Sequence, residues 1–203
     1  RVVIFHTDDI GMCQASVDAF AELVEFGLIS SGAVMVPCPW FLEAAAFSKA
    51  HPEADLGVHL TLTSEWETYR WGPISTRDPQ SGLMDNQGFF HKTSEAVWEH
   101  GVPEAITREL DLQVRRALEA GMSLTHIDTH MGSVAHPKLV PGYIQLATKY
   151  GLPPMIPRMS VEEITAGQGF DEATAQMILQ TIAELEEMGI PLLDSLSGLS
   201  LEN

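Results

Sequence analysis

With 203 residues, of which 45% are hydrophobic and 19% charged, the chain has room for one folded domain and lacks the composition of a disordered protein. The formal net charge of −17 argues against nucleic acid and anionic membranes as partners, because binding to either needs an excess of Lys and Arg. No apolar run reaches the roughly 18 residues of a membrane-spanning helix. We therefore expect a single domain over residues 1–203.

Strand-like and helix-like segments alternate along the chain. Short apolar runs bounded by Gly, Pro or polar residues predict strands, and apolar residues at spacings of three and four predict helices. The alternation indicates an α/β fold with a parallel sheet, in which the carboxyl ends of the strands form the active site. In chain order, the predicted elements are strand 2–5, helix 15–26, strand 33–36, helix 41–50, strand 56–62, helix 105–120, strand 124–129, helix 139–150, strand 155–159, helix 171–188 and strand 190–194.

The segment 64–92 differs from the rest of the chain. It is rich in Gly, Pro, Ser and Trp and has no clear periodicity, and connections of this length are usually either functional or disordered. Its aromatic residues argue against disorder. We expect this segment to border the functional site, because it directly follows the strand 56–62.

The two cysteines, Cys13 and Cys38, match neither a zinc-ribbon spacing nor a disulfide framework. Reduced thiols are the simplest interpretation, since disulfides rarely persist in the cytoplasm. We therefore expect a cytoplasmic protein.

Histidines occur in three segments, 6–9 (HTDD), 57–61 (GVHLT) and 125–130 (THIDTH), each where a buried strand would end, and acids accompany them in the first and third. Carboxylate oxygens and imidazole nitrogens from separate strands are the usual ligands of a divalent cation at a hydrolytic site. Asp8, Asp9, His59 and His130 fall at such strand ends. The leading interpretation is therefore a metal-dependent hydrolase.

Asp8 and Asp9 are adjacent, so both can enter one site only if the chain turns between them, as the following Gly11 permits. One carboxylate would then bind the metal and the other would act as general base. The alternative is that the pair caps the helix 15–26, a position for which Asp is well suited. From these residues alone, the two interpretations are about equal.

His126, Asp128 and His130 share one face of the strand 124–129 by the period of two. Three ionisable groups on one face are too costly to bury unless they are paired or bind a cation. His130 is last in the strand and is expected to reach the metal. His126 and Asp128 lie deeper, where hydrogen bonds that orient a metal ligand are expected.

Three successive motifs, HTDDIGM at 6–12, GVHLTLT at 57–63 and THIDTHMG at 125–132, resemble those of the YdjC-like carbohydrate deacetylases, relatives of the NodB-type polysaccharide deacetylases. The resemblance implies an irregular (β/α) TIM-like barrel with fewer than eight repeats. It also implies that Asp9, His59 and His130 hold a divalent metal, Mg²⁺ or Zn²⁺, with Asp8 as general base. The implied reaction removes N-acetyl groups from an amino sugar or short oligosaccharide.

A carbohydrate substrate gives the aromatic residues of the segment 64–92 a function. Trp66, Tyr69 and Trp71 are candidates for stacking on a sugar ring, because flat aromatic faces suit the C–H faces of sugars. Packing of the segment on itself is the alternative. Arg158 is a further candidate for substrate binding.

Two features depart from the family pattern. The pattern continues past its last metal ligand with further histidines, whereas this chain has Met131 and Gly132. It also has a late His-Pro motif whose His resembles a general acid, and no His follows His136 here. Either the barrel is C-terminally incomplete in this sequence, or the leaving amine takes its proton from another group.

Two other classes of function stay open. A metal-dependent amidohydrolase or phosphoesterase barrel would also place His and Asp at strand ends, but those families usually have His-x-His after the first strand, where this chain has Asp-Asp. A carbohydrate-binding relative that has lost catalysis would explain the missing late His. The sequence leaves a homo-oligomer open as well.

Overall fold

The computed structural model describes residues 2–167 and 169–198. Contacts within the chain divide it into two compact units, Arg1–Leu152 and Pro153–Asn203. The assignment of the whole chain to one domain stays a prediction. In the described residues, no helix combines the length and the apolar composition needed to cross a membrane.

The first unit contains a four-stranded sheet and five helices. All neighbouring strands are parallel, in the order β1-β2-β3-β4, which confirms the predicted α/β fold with a parallel sheet. The elements are β1 (His6–Ile10), α1 (Gln14–Phe26), β2 (Ser31–Val34), α2 (Phe41–Ala50), β3 (Leu56–Leu60), α3 (Ser94–His100), α4 (Pro103–Glu119), β4 (Leu124–Thr129) and α5 (Val140–Tyr150), with 3₁₀ turns at Pro79–Ser81 and His130–Ala135.

The helix α4 buries the apolar face that its sequence pattern predicts. Pro103 occupies its first turn, where a missing N–H costs nothing. Ile106, Leu110, Val114 and Ala117 recur at spacings of four and three, and all are buried. A continuous apolar stripe of this kind buries one face of the helix in the core of the unit.

Two polar residues of α4 are also fully buried, and they hold the chain that follows β3. Gln113 accepts a hydrogen bond from the Thr61 N–H at 2.9 Å and donates to the Thr61 carbonyl at 2.8 Å. Glu109 accepts from the backbone N–H groups of Ile74 and Ser75 at 3.1 and 2.8 Å. Buried polar groups are stable when they are paired in this way, so α4 fixes both the end of β3 and the middle of the segment 64–92.

The prediction of a first strand at 2–5 is wrong: β1 begins at His6, and the apolar side chains of Val2, Val3, Ile4 and Phe5 are exposed. Apolar composition does not by itself make a strand, since a strand also needs a partner along its edge. The pairing with β2 instead begins at His6, opposite Ser31. The polar HTDD motif therefore lies inside the strand rather than after it.

The segment 64–92 is an ordered connection. Parallel and antiparallel bridges join Thr63 to His91 and Met84 to Phe90. The helix α3, which follows it and was not predicted, is capped by Thr93, whose hydroxyl accepts from the Ala96 N–H at 3.3 Å.

The second unit contains a π-helical turn (Glu163–Gly167) and α6 (Glu172–Glu187). The predicted strands 155–159 and 190–194 are wrong in extent, because the described residues there form only one isolated parallel bridge, between Pro157 and Leu193. Prolines at 153, 154, 157 and 191 remove the N–H donors that a longer ladder would need.

Candidate metal centre

One face of the sheet is concave enough to bring its two edge strands into contact. Nε2 of His6, on β1, lies 3.0 Å from Oδ2 of Asp128, on β4, although two strands separate them in the sheet. Gly57 on β3 leaves the necessary space, because a Cβ there would lie 2.5 Å from Nε2 of His126. The absence of a side chain at Gly57 thus leaves room for the imidazole ring of His126 from the neighbouring strand.

A bulge in β1 aims Asp9 at this face. Between paired positions, β1 advances three residues (Thr7 to Ile10) while β2 advances two (Gly32 to Val34), and Asp9 has a φ of +57°. Left-handed backbone is unfavourable for most L-residues and most tolerated by Asn and Asp. The turn expected from the sequence therefore occurs at Asp9 itself. Asp9 is partly buried in the site, whereas Asp8 is exposed.

Asp9, His59 and His130 converge. Oδ1 of Asp9 lies 2.9 Å from Nδ1 of His130 and 3.4 Å from Nε2 of His59, and the two imidazole rings are nearly perpendicular, with centroids 5.2 Å apart. One ligand atom from each of the three residues lies within 4.8 Å of the other two. The structure thus brings together the three residues that the sequence motifs single out as metal ligands.

Two atoms at this point of convergence are buried without a hydrogen-bond partner in the described residues: Oδ1 of Asp9 and Nε2 of His59. Their short contacts lack the orientation of hydrogen bonds. Buried polar atoms in proteins are nearly always paired, so a carboxylate oxygen and an imidazole nitrogen that face each other unpaired fit a cation between them. The donor set therefore suits a divalent metal.

Asp128 lies beneath this group and is inaccessible to solvent. It accepts hydrogen bonds from Nδ1 of His59 at 2.7 Å and from Nε2 of His6 at 3.0 Å. Burial opposes ionisation of Asp128, but the two imidazoles outweigh it and hold its pKa well below the usual range. When His59 is neutral, its Nδ1–H is donated to Asp128 and the lone pair of Nε2 faces Asp9.

Charges in the group depend strongly on one another. Burial would lower the pKa of His59, but Asp128 and Asp9 outweigh it and raise the pKa to about 10. Burial would likewise raise the pKa of Asp9, yet His130 and His59 hold it well below its usual range. Without a cation, Asp9 and Asp128 therefore stay ionised, and His59 is protonated on both ring nitrogens and positively charged.

His6, His126 and Asp128 form a second group with ligand-type atoms within 4.8 Å of one another. Here His6 and Asp128 already satisfy each other with a hydrogen bond, and Nδ1 of His126 lies 2.9 Å from Oγ1 of Thr125. Burial lowers the pKa of His126, so its ring is neutral. Nε2 of His126 is also buried without a hydrogen-bond partner in the described residues, so within this group only His6 supports Asp128 through a hydrogen bond.

The chain after His130 turns sharply through two left-handed residues, Met131 (φ +53°) and Gly132 (φ +62°). The helix α3 holds this turn, since Oγ of Ser94 donates to the Met131 carbonyl at 3.0 Å and Nε1 of Trp98 to that of Ser133 at 2.8 Å. The unpredicted helix thus fixes the backbone that carries His130.

The predicted substrate residues fall in different environments. Trp66 is 52% exposed and Tyr69 37%, and the Tyr69 hydroxyl donates to the Met12 carbonyl at 2.6 Å. Trp71 is only 3% exposed, and its indole N–H donates to the Thr63 carbonyl at 2.8 Å. Trp71 therefore has no free face for a sugar. It lies instead beside His130, with ring centroids 6.2 Å apart.

Arg158, the fourth of these residues, belongs to the second unit. Its guanidinium forms ion pairs with Glu186 and with Asp194, the latter at 2.6 Å. Because both carboxylates already neutralise the guanidinium, Arg158 is a poor candidate for binding a substrate.

Comparison with known proteins agrees with the sequence motifs. Residues 2–202 match the family model of the YdjC-like proteins. The chain belongs to the YdjC-like family. Proteins named carbohydrate deacetylase from Thermus thermophilus, Brevibacillus brevis and Thermoanaerobacter pseudethanolicus are 35%, 34% and 26% identical to it, over 94%, 76% and 75% of the chain.

A solved relative has the same fold. The crystal structure of an Enterococcus faecalis protein, described as a proposed cellobiose-phosphate cleavage protein, is 27% identical with a TM-score of 0.73 and covers 95% of this chain. The chain spans 68%, 59% and 59% of the three curated relatives and 66% of the solved protein.

Sequence reasoning missed two residues of this YdjC-like site. His6 was visible as part of the first motif, but its distance along the chain from Asp128 hid their contact. Glu65, whose Oε2 lies 3.1 Å from Nε2 of His130, belongs to no motif. The signal for Glu65 was its position six residues after His59, where the chain leaves the same strand end.

Proposed function

We propose that this chain is a metal-dependent carbohydrate deacetylase, which hydrolyses the N-acetyl group of an amino sugar or short oligosaccharide. The observation that carries the proposal is the pair of buried, unpartnered atoms, Oδ1 of Asp9 and Nε2 of His59, beside His130. The names of the curated relatives supply the reaction, and the described activity of the solved relative also concerns a carbohydrate.

The residues of the site have distinct roles in this proposal. Asp9, His59 and His130 hold a divalent cation, which when bound supplies Lewis-acid stabilisation of the charge that develops on the acetyl oxygen. Asp8, exposed beside Asp9, accepts a proton from the attacking water. Asp128 keeps the Nδ1 proton on His59, so that Nε2 remains free to bind.

The donor set bears on which metal binds. Two imidazole nitrogens and one carboxylate oxygen suit Zn²⁺ or another transition metal, whereas Mg²⁺ favours oxygen ligands throughout. Of the two metals expected, we therefore infer Zn²⁺ rather than Mg²⁺. Competition between the two ions for the metal-free protein tests this choice, and tighter binding of Mg²⁺ would contradict it.

The exposed aromatic residues of the segment 64–92 provide the sugar-binding surface in this proposal. Trp66 has the most accessible ring, and stacking by one indole would contribute about 1 kcal/mol. Trp66→Ala should raise KM for oligosaccharides more than for a monosaccharide and leave the metal content unchanged. Unaltered kinetics on every active substrate would show that Trp66 does not contact the sugar.

We further propose that the four strands form part of an irregular (β/α) barrel with fewer than eight repeats, and that the protein acts in the cytoplasm. The contact across the sheet between His6 and Asp128 supports strong curvature. The thiols of Cys13 and Cys38, both free, support a reducing compartment. A crystal structure of the protein and cell fractionation would test these two proposals.

Acetate release tests the function directly. The purified chain should release acetate from N-acetylated sugars, lose this activity after chelation, and regain it with Zn²⁺, Mn²⁺, Co²⁺ or Mg²⁺. Asp9→Asn is the matched inactive variant, because it keeps the size of the side chain and removes the ligand charge. Metal binding without acetate release from any N-acetylated sugar would favour the carbohydrate-binding alternative, and release of phosphate from a sugar phosphate would favour the phosphoesterase.

A further inference from the structure

After Asp128, Glu65 is the second carboxylate from outside the group Asp9, His59 and His130 that contacts one of its histidines. Its Oε2 lies 3.1 Å from Nε2 of His130, whose side chain is almost completely buried. Glu65 retains partial access to solvent, and it is the second residue of the segment 64–92, which also carries Trp66 and Tyr69. The contact therefore links a metal-site histidine to the segment that we propose for sugar binding.

The chemistry of the two groups fixes the direction of this hydrogen bond. An ionised carboxylate can only accept, so Nε2 of His130 must carry the proton. A neutral imidazole then keeps its lone pair on Nδ1, and Nδ1 is the atom that lies 2.9 Å from Oδ1 of Asp9. The contact with Glu65 selects one of the two tautomers of His130.

The two histidines of the centre would consequently use opposite nitrogens. His59 donates from Nδ1 to Asp128 and presents Nε2 toward Asp9 at 3.4 Å. His130 donates from Nε2 to Glu65 and presents Nδ1. Each imidazole is thus held between one carboxylate outside the centre and the carboxylate of Asp9.

The base from which Glu65 projects is held firmly. The hydroxyl oxygen of Ser64 accepts from the Trp71 N–H at 3.0 Å and from Nε of Arg70 at 3.2 Å, and the Ser64 N–H donates to the His91 carbonyl at 2.8 Å. Arg70 in turn forms an ion pair with Asp85 at 2.9 Å.

We propose that Glu65 is a positioning residue, which holds His130 in the tautomer that binds metal through Nδ1 and so couples the sugar-binding segment to the metal centre. The inference rests on the proposed metal site. Loss of a carboxylate that orients a metal-binding histidine typically weakens metal affinity by about 10- to 100-fold.

Three variants of the full chain test this role: Glu65→Ala, Glu65→Gln and the control Glu67→Ala. Glu67 is two residues further along, highly exposed, and pairs only with Lys92 at 2.7 Å in the described residues. Isothermal titration of the chelator-stripped proteins with Zn²⁺ gives the affinity, and ¹⁵N chemical shifts of the His130 ring report its tautomer.

We expect Glu65→Ala to weaken Zn²⁺ binding by about 10- to 100-fold and to lose the preference for the Nε2–H tautomer. Glu65→Gln should recover most of the affinity, because its amide oxygen still accepts from Nε2, and Glu67→Ala should match the wild type. Affinity of Glu65→Ala equal to the wild type would overturn the proposal. So would abolition of binding in both Glu65 variants, since that would make Glu65 a metal ligand.

Circular dichroism establishes that each variant is folded. If Glu65→Ala fails to fold, Glu65→Asp replaces it, because its shorter carboxylate cannot span the 3.1 Å contact without movement of the backbone. Failure of this inference is distinguishable from failure of the proposed function. An active wild type with an unaffected Glu65→Ala affinity overturns the positioning role alone, and an inactive wild type with the expected affinities overturns the reaction alone.

Discussion

Replacement of Asp128 by Asn tests how the residue beneath the candidate metal centre contributes to it, while the three candidate ligands stay unchanged. The buried carboxylate accepts one hydrogen bond from His59 at 2.7 Å and one from His6 at 3.0 Å. An amide of the same size offers one acceptor and one donor group, so it can accept from only one of the two rings. The other imidazole must change its tautomer or lose its partner.

The size of the effect follows from these two bonds. A hydrogen bond to a charged group contributes about 1.5–3 kcal/mol, so Asp128→Asn should lower the free energy of unfolding of the metal-free protein by about that amount. If the amide N–H₂ faces His59, the proton of that ring moves to Nε2 and blocks the ligand atom. Metal affinity should then fall by about 10- to 100-fold.

Urea unfolding of the chelator-stripped protein and titration with Zn²⁺ measure the two effects. Asp55→Asn is the matched control, because Asp55 lies near His126 at 3.4 Å but its side chain is 48% exposed. We expect the control to change neither quantity by much. Wild-type affinity in Asp128→Asn would refute the reasoning, since it would show that His59 needs no carboxylate to present Nε2.

Three further predictions follow from the geometry. Asp8→Asn should lower turnover by about 10²-fold or more with unchanged metal content, as measured by acetate release and elemental analysis, and loss of the metal would assign Asp8 to the ligands. Gly57→Ala should lower the free energy of unfolding in urea by about 1–3 kcal/mol, because its Cβ would lie 2.5 Å from the imidazole of His126. Gly142→Ala in α5 is the control, since its Cβ would make only ordinary contacts and should not destabilise the protein. The raised pKa of His59 stabilises the metal-free protein fully below pH 6.5, and this contribution disappears as the pH rises through about 10. A metal ion must displace the proton from His59 in order to bind. Metal affinity in calorimetric titrations should therefore increase between pH 6.5 and about 10. A pH-independent affinity there would contradict the raised pKa.

The candidate metal centre is built in two layers on one concave face. Asp9, His59 and His130 form the upper layer, while Asp128 with His6 lies beneath it. The lower layer decides which nitrogen of His59 is available, and Glu65 at the rim does the same for His130 in our proposal. Substitutions of Asp128, His6 or Glu65 are therefore expected to weaken metal binding while the protein stays folded.

The sequence by itself determined the alternation of strands and helices around the sheet, apart from α3, and the acids and histidines that meet at the strand ends. Periodicity predicted the helices α1, α2, α4, α5 and α6 to within a few residues, because a helix that buries one stripe must repeat its apolar residues along the chain. The motifs also singled out Asp9, His59 and His130, since acids and imidazoles at strand ends are locally visible.

Local pattern misled where pairing or burial decides the outcome. Residues 2–5 are apolar yet lie outside the sheet, and β1 is formed by the polar HTDD motif because its edge has β2 as a partner. Trp71 looked equivalent to Trp66 in the sequence, but a hydrogen bond to the Thr63 carbonyl places it in the interior.

Only the tertiary structure decided how the separate motifs meet. The bulge that turns Asp9 inward, the curvature that joins His6 to Asp128, and the contact of Glu65 with His130 each depend on residues far apart in sequence. The spacing of residues along one strand or helix carries no information about the strand that will lie opposite. Side-chain direction across the sheet is set by packing of the whole unit. This is why the candidate ligands and the supporting role of Asp128 could be predicted from the motifs, whereas the contacts made by His6 and Glu65 could not.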